Sequence, residues 1–117
     1  MRRLWWTALL LLALLGAGCR PDVPILAWHS IGPGNDEFTV GEAAFAAQLD
    51  AIQRAGYHTV TFHDWLAHQD KGAPLPDKPI LLTFDDGDQD AFTAAFPALR
   101  SRGMRATFFA QGCDGQA

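Results

Sequence analysis

Apolar residues recur along this chain in two rhythms. Short runs at VPILAWHSI (23–31), YHTVTF (57–62), PILLTF (79–84) and RATFFA (105–110) are bounded by Gly, Pro or charged residues. Such runs predict buried strands. Between them the spacing turns helical. Phe45, Leu49 and Ile52 fall on one face, with Thr39 and Glu42 ahead at capping-box spacing and Gly56 as a stop. A shorter helix carrying Trp65 and Leu66 is predicted to close near Gly72. Phe92, Phe96 and Leu99 mark a third helix, which Pro97 is expected to break and restart before Gly103 ends it. GPGNDEF (32–38) and APLPDKP (73–79) read as loops. A β-α-β-α-β-α-β order of apolar strands and amphipathic helices predicts an α/β fold, a parallel sheet covered by helices.

The first residues do not join this pattern. MRRLWWTALLLLALLGAGC has two arginines, an apolar stretch from Leu4 to Leu15 and small residues ending at Cys19. That is the layout of an export signal, and it falls short of the ~20 residues that span a bilayer. The Gly16-Ala17-Gly18-Cys19 ending resembles a bacterial lipoprotein signal, with Gly16 standing where an apolar residue is usual. The expected division is a signal peptide over 1–18, lipidation of Cys19, a linker over 19–22 and a domain over 23–117. Ordinary secretion is the competing reading, as is a Cys19–Cys113 disulfide if Cys19 carries no lipid. The expected location is the cell envelope, lipid-anchored at the outer membrane or periplasmic.

Charge narrows the partners. The chain has nine Lys and Arg against 13 Asp and Glu. Loss of Arg2 and Arg3 with a signal leaves seven basic residues, and no basic cluster survives to bind nucleic acid.

The acidity concentrates at one point. The run Ile80–Phe84 ends in Asp85-Asp86-Gly87, with Asp88 and Asp90 behind. Carboxylates this close repel unless a cation lies between them. Gly87 lets the chain turn and bring both Asp85 and Asp86 to the strand's C-terminal end, where parallel α/β folds gather their functional groups. Asp88 and Asp90 read instead as residues that favour a helix N-terminus, a role also open to the whole turn. A calcium loop fails on spacing, since Ala91 and Pro97 stand where Gly and Glu are required. A phosphatase-type Asp86-Gly87-Asp88 lacks the threonine expected next.

LLTFDDG at 81–87 resembles the first motif of the polysaccharide deacetylases, the NodB-like carbohydrate esterases. PILAWHSI resembles their first strand, FAAQLDAIQRAGYHTV their first helix and second strand, and RATFFA the strand after the motif. The likeness covers roughly residues 23–110 and is nearest to the exported poly-β-1,6-N-acetyl-D-glucosamine N-deacetylases. It implies the N-terminal part of a (β/α) barrel, with Asp85 as catalytic base and Asp86 as ligand of a divalent metal (zinc, nickel or cobalt). The substrate implied is an N-acetylated polysaccharide. An acetamide is a poor electrophile, so a metal that polarises its carbonyl suits the chemistry.

The family's metal site also takes two histidines spaced His-x-x-x-His. His29, His58, His63 and His68 include no such pair, and the family barrel is about twice this length. The expectation is therefore an N-terminal fragment, inactive alone. His29 follows Trp28 where the family has Tyr-His; it lines the substrate cleft or is a plain strand-end histidine. His58, His63 and His68 read as solvated polar residues, and Trp28 and Trp65 as core before sugar platforms. The rival is a non-catalytic envelope lipoprotein that binds glycan or a protein partner.

Overall fold

A single strand, β5 (Pro79–Phe84), organises the fold, and all six of its residues are buried. The computed structural model describes residues 22–34, 36–85 and 89–110, without the side chains of 89–91. The expected signal segment (1–18), Cys19, Asp86, Asp88 and Cys113 lie outside the described residues, as does the side chain of Asp90.

The chain order is β1 (Ile25–Trp28), β2 (Ser30–Ile31), β3 (Thr39–Val40), α1 (Glu42–Arg54), β4 (His58–Val60), α2 (Phe62–Lys71), β5, α3 (Gln89–Ser101) and β6 (Thr107–Phe108). Strand β1 runs parallel to β5 with Ile25 opposite Leu81 and Trp28 opposite Phe84. The other edge of β5 is shared. Strand β4 takes its first half, His58 opposite Pro79 to Val60 opposite Leu81, and β6 takes Thr83 and Phe84. Strands β2 and β3 form a separate parallel pair. The main sheet is wholly parallel, as the alternation of strand and helix predicts.

The even positions of β5 face the helices. Ile80, Leu82 and Phe84 pack with Phe45, Leu49 and Ile52 of α1 and with Ala95 and Leu99 of α3. Trp28 lies among them, stacked on Phe84 at 5.4 Å and edge-on to Phe45 at 5.3 Å. Its indole N–H donates to Gln48 Oε1 at 2.9 Å. Phe108 stacks on Phe84 at 4.6 Å, so the tip of β5 carries an aromatic ring from each neighbouring strand. The odd positions Leu81 and Thr83 are buried too, and the Thr83 hydroxyl donates to the Leu26 carbonyl at 3.2 Å.

Several expectations need correction. Strand β1 is exposed over Ile25, Leu26 and Ala27, and only Trp28 is buried. Among the described residues it pairs with β5 alone, so it is an edge strand there. Thr39 does not cap α1: it belongs to β3, and the N-cap is Gly41 with no side-chain bond. The capping box belongs to α2. The Thr61 N–H donates to Asp64 Oδ2 at 2.8 Å, and the Asp64 N–H donates to Thr61 Oγ1 at 3.2 Å. Pro97 does not split α3, which runs unbroken from Gln89 to Ser101. Pro97 points to solvent while Ala95 and Leu99 hold the helix on the sheet, and that burial outweighs the missing ladder bond. The last strand is shorter than predicted, limited to Thr107 and Phe108. Gly72 and Gly103 behave as expected, ending their helices with φ of 67° and 63°.

The approach to β5 is built with care. Lys78 has a left-handed φ of 46°, unusual for a residue with a side chain. It is fixed by three contacts: its carbonyl accepts from the His58 N–H at 2.9 Å, its ammonium donates to the Ala55 carbonyl, and that ammonium lies 4.6 Å from the Tyr57 ring. These contacts set where the strand starts.

Candidate active site

Asp85 is the first residue beyond the buried strand and is itself half-buried. Its backbone N–H donates to the Trp28 carbonyl at 3.0 Å. The carbonyl on the other side of the same peptide bond, that of Phe84, accepts from the Phe109 N–H at 2.9 Å. The 84–85 peptide is thus clamped by β1 on one side and by the end of β6 on the other. A carboxylate mounted on such a peptide has little backbone freedom, which suits a group that must meet a reacting atom. Sequence reasoning found Asp85 but not the clamp, which depends on strand register.

His29 sits one residue past β1, at the same sheet edge. It is exposed, and its ring meets that of Phe38 edge to face at 5.5 Å. Phe38 was missed by the sequence reading, which treated 32–38 only as loop. That loop is ordered by Asp36, whose carboxylate accepts the Phe38 N–H at 2.9 Å and the Thr39 hydroxyl at 2.9 and 3.0 Å. The Thr39 hydroxyl and then the Phe38 N–H hold the Asp36 carboxyl below its usual range.

His58 and His68 stand elsewhere. His58 opens β4 opposite Pro79, at the far end of the sheet from Asp85. Its Nδ1 donates to the Asp77 carbonyl at 2.7 Å, and His68 Nδ1 donates to the Ala73 carbonyl at 2.7 Å. These two are pins for the 72–78 segment rather than merely solvated residues. His63 is exposed on α2.

Two clefts bear on the choice of site. The larger, about 740 Å³, opens at the start of β5 between Tyr57, His68, Leu75, Asp77 and Lys78. A smaller one of about 480 Å³ lies on the Asp85 side, between the loop after β2 and α3, lined by Ser30, Thr39, Glu42 and Thr93. Position relative to Asp85 favours the smaller one.

Asp85 can take a proton from water. Among the described residues no three His, Cys, Asp or Glu side chains approach closely enough to hold a metal ion. Asp85 alone does not fit a zinc-type site, which wants several ligands including nitrogen or sulfur.

Residues 72–115 match the family model "Polysaccharide deacetylase". YxkH of Bacillus subtilis (strain 168), assigned by name to the polysaccharide deacetylases, is 38% identical over 90 residues, covering 77% of this chain and 32% of that protein. The poly-beta-1,6-N-acetyl-D-glucosamine N-deacetylase of Escherichia coli (strain K12) is 32% identical over 82 residues, 65% of this chain and 12% of that protein. The structure of IcaB from Ammonifex degensii superposes with a TM-score of 0.67 at 32% identity, over 75% of this chain and 37% of that one. The chain therefore spans about a third or less of the curated relatives it matches. With the parallel half-sheet common to this chain and its structural neighbours, these likenesses tie the described residues to the polysaccharide deacetylases over part of their length, with the fold of a partial NodB-like barrel.

Proposed function

We propose that this chain supplies the catalytic-base half of a metal-dependent polysaccharide N-deacetylase, which hydrolyses acetamido groups on N-acetylglucosamine-type polymers. The observation that carries the reading is Asp85, clamped at the tip of the central strand by Trp28 and Phe109. Asp85 accepts a proton from water as that water attacks the acetamide carbonyl, and the products are acetate and a free amine. Asp86 is the chain's metal ligand in this reading. Its histidine partners come from outside these residues, because the four histidines present include no His-x-x-x-His pair. A divalent zinc, nickel or cobalt ion supplies Lewis acidity at the carbonyl when bound. On its own the chain is then inactive. The reading also places it in the cell envelope, tethered through a lipid on Cys19.

A chimera tests this. Residues 23–110 replace the matching segment of the E. coli N-deacetylase, and acetate release from an N-acetylglucosamine polymer is measured. Asp85→Asn is expected to lower turnover by ~10²–10⁴-fold with metal content unchanged. Asp86→Asn is expected to lose metal and activity together. Full activity in both variants would leave the acidic turn as no more than a helix cap.

A further inference from the structure

We propose that Phe38 is a stacking platform for one pyranose ring of the polymer, next to the sugar presented to Asp85. This rests on the deacetylase reading and extends it to a named substrate contact. Phe38 is 58% exposed, and single exposed apolar residues are common enough to mean nothing alone. What separates Phe38 from exposed Phe96 is how it is held and where it stands.

Its backbone is tied on both sides: the N–H donates to Asp36 Oδ1 at 2.9 Å, and the carbonyl accepts from the Ser30 N–H at 3.2 Å. The next residue, Thr39, pairs with Ser30 in the small sheet. The loop is also packed tightly, since a Cβ at Gly34 would lie 2.8 Å from Thr39 side-chain atoms. A ring carried in solvent on a backbone held this way gains little from burial within the chain. It is, however, pre-organised for a ligand, which lowers the ordering cost of binding.

Location gives the ligand's chemistry. The loop follows β2, which begins two residues beyond β1, the strand whose last carbonyl grips Asp85, and Phe38 meets His29 there. The face of an aromatic ring is electron-rich and attracts the C–H groups that line a pyranose face. His29 adds polar atoms at the ring's border, where sugar hydroxyl or acetamido groups would lie. An aromatic surface with few polar groups is the usual make-up of a small-ligand site.

The probe is a β-1,6-linked N-acetylglucosamine pentamer, titrated into the isotope-labelled chain and followed by NMR. Shifts are expected at the Phe38 ring and the His29 imidazole. Phe38→Ala is expected to raise Kd roughly three- to tenfold, and Phe38→Trp to keep or improve binding. Unchanged amide shifts of Ser30 and Thr39 show that the loop survives; if it does not, Phe38→Leu keeps bulk and removes the ring. The proposal is overturned by wild-type affinity in Phe38→Ala, by unmoved Phe38 ring signals, or by no pentamer binding at all. Those results leave Asp85-dependent acetate release by the chimera untouched, so failure of the platform and failure of the deacetylase reading are told apart.

Discussion

Replacing Trp28 tests whether the aromatic cluster beneath the acidic turn holds the fold as the structure implies. The ring is 7% exposed, lies between Phe84 and Phe45, and donates its one polar hydrogen to Gln48. Trp28→Ala removes all of this and is expected to cost ~3–5 kcal/mol, a large share of the ~5–15 kcal/mol that holds a typical domain. Trp28→Phe keeps most of the stack but deletes the indole N–H. Gln48 is exposed and can turn to water, so the lost bond should cost only ~0.5–1.5 kcal/mol, plus a smaller loss from the missing ring. A double-mutant cycle isolates the bond. Gln48→Ala alone should destabilise by a similar amount, but should cost nearly nothing in the Trp28→Phe background. Urea unfolding followed by far-UV circular dichroism avoids relying on the altered tryptophan. If Gln48→Ala costs the same in both backgrounds, the bond contributes nothing. If Trp28→Ala costs under ~1 kcal/mol, the strand tip is not held by this cluster.

Two further changes probe the supports around the sheet. Thr61→Ala removes one arm of the α2 capping box and should lower stability by ~0.5–2 kcal/mol in thermal unfolding. The Asp64 carboxyl is held low chiefly by the Thr61 N–H and hydroxyl, with Arg105 and His63 adding to it. A depressed carboxylate contributes stability that is complete above its unfolded value of about 3.9 and is lost as pH falls through the folded value. Asp64→Asn should therefore flatten the stability profile below about pH 4 while lowering it at neutral pH; an unchanged acid limb would refute the role. Pro97→Ala restores an N–H to the α3 ladder at an exposed position. It should raise stability by up to ~3 kcal/mol, less whatever the freer unfolded chain takes back. An unchanged melting temperature would show that the helix has already adapted to the ring.

Much of this architecture was legible because the strongest signals were long. Strand β5 announced itself through six apolar-rich residues between a proline loop and an acidic turn, and α1 through Phe45, Leu49 and Ile52. Short or long-range features were not legible. The β2–β3 pair has two residues per strand, too few for any period to show. The capping box was assigned to Thr39 and Glu42 because glutamate is the usual third residue, whereas Asp64 fills that place behind Thr61. The exposure of Ile25 follows from the edge position of β1, which a local apolar run does not reveal. The site divided the same way. Asp85 was visible as charge at the end of a strand, but its grip by Trp28 and the meeting of Phe38 with His29 depend on pairings across the fold.

The central place of β5 has a consequence for how the chain is made. Every rung of the main sheet runs to this strand, so β1 and β4, synthesised earlier, have no partner in that sheet until residues 79–84 emerge. Until then Ile25, Leu26 and Val60 belong to unpaired strands, and the loop joining Ile25 to Leu81 closes late and at an entropic cost. The ribosome thus delivers the apolar segments of this chain well before the template that sorts them. Over that interval, protection from wrong pairing must come from outside the sheet, as from a chaperone.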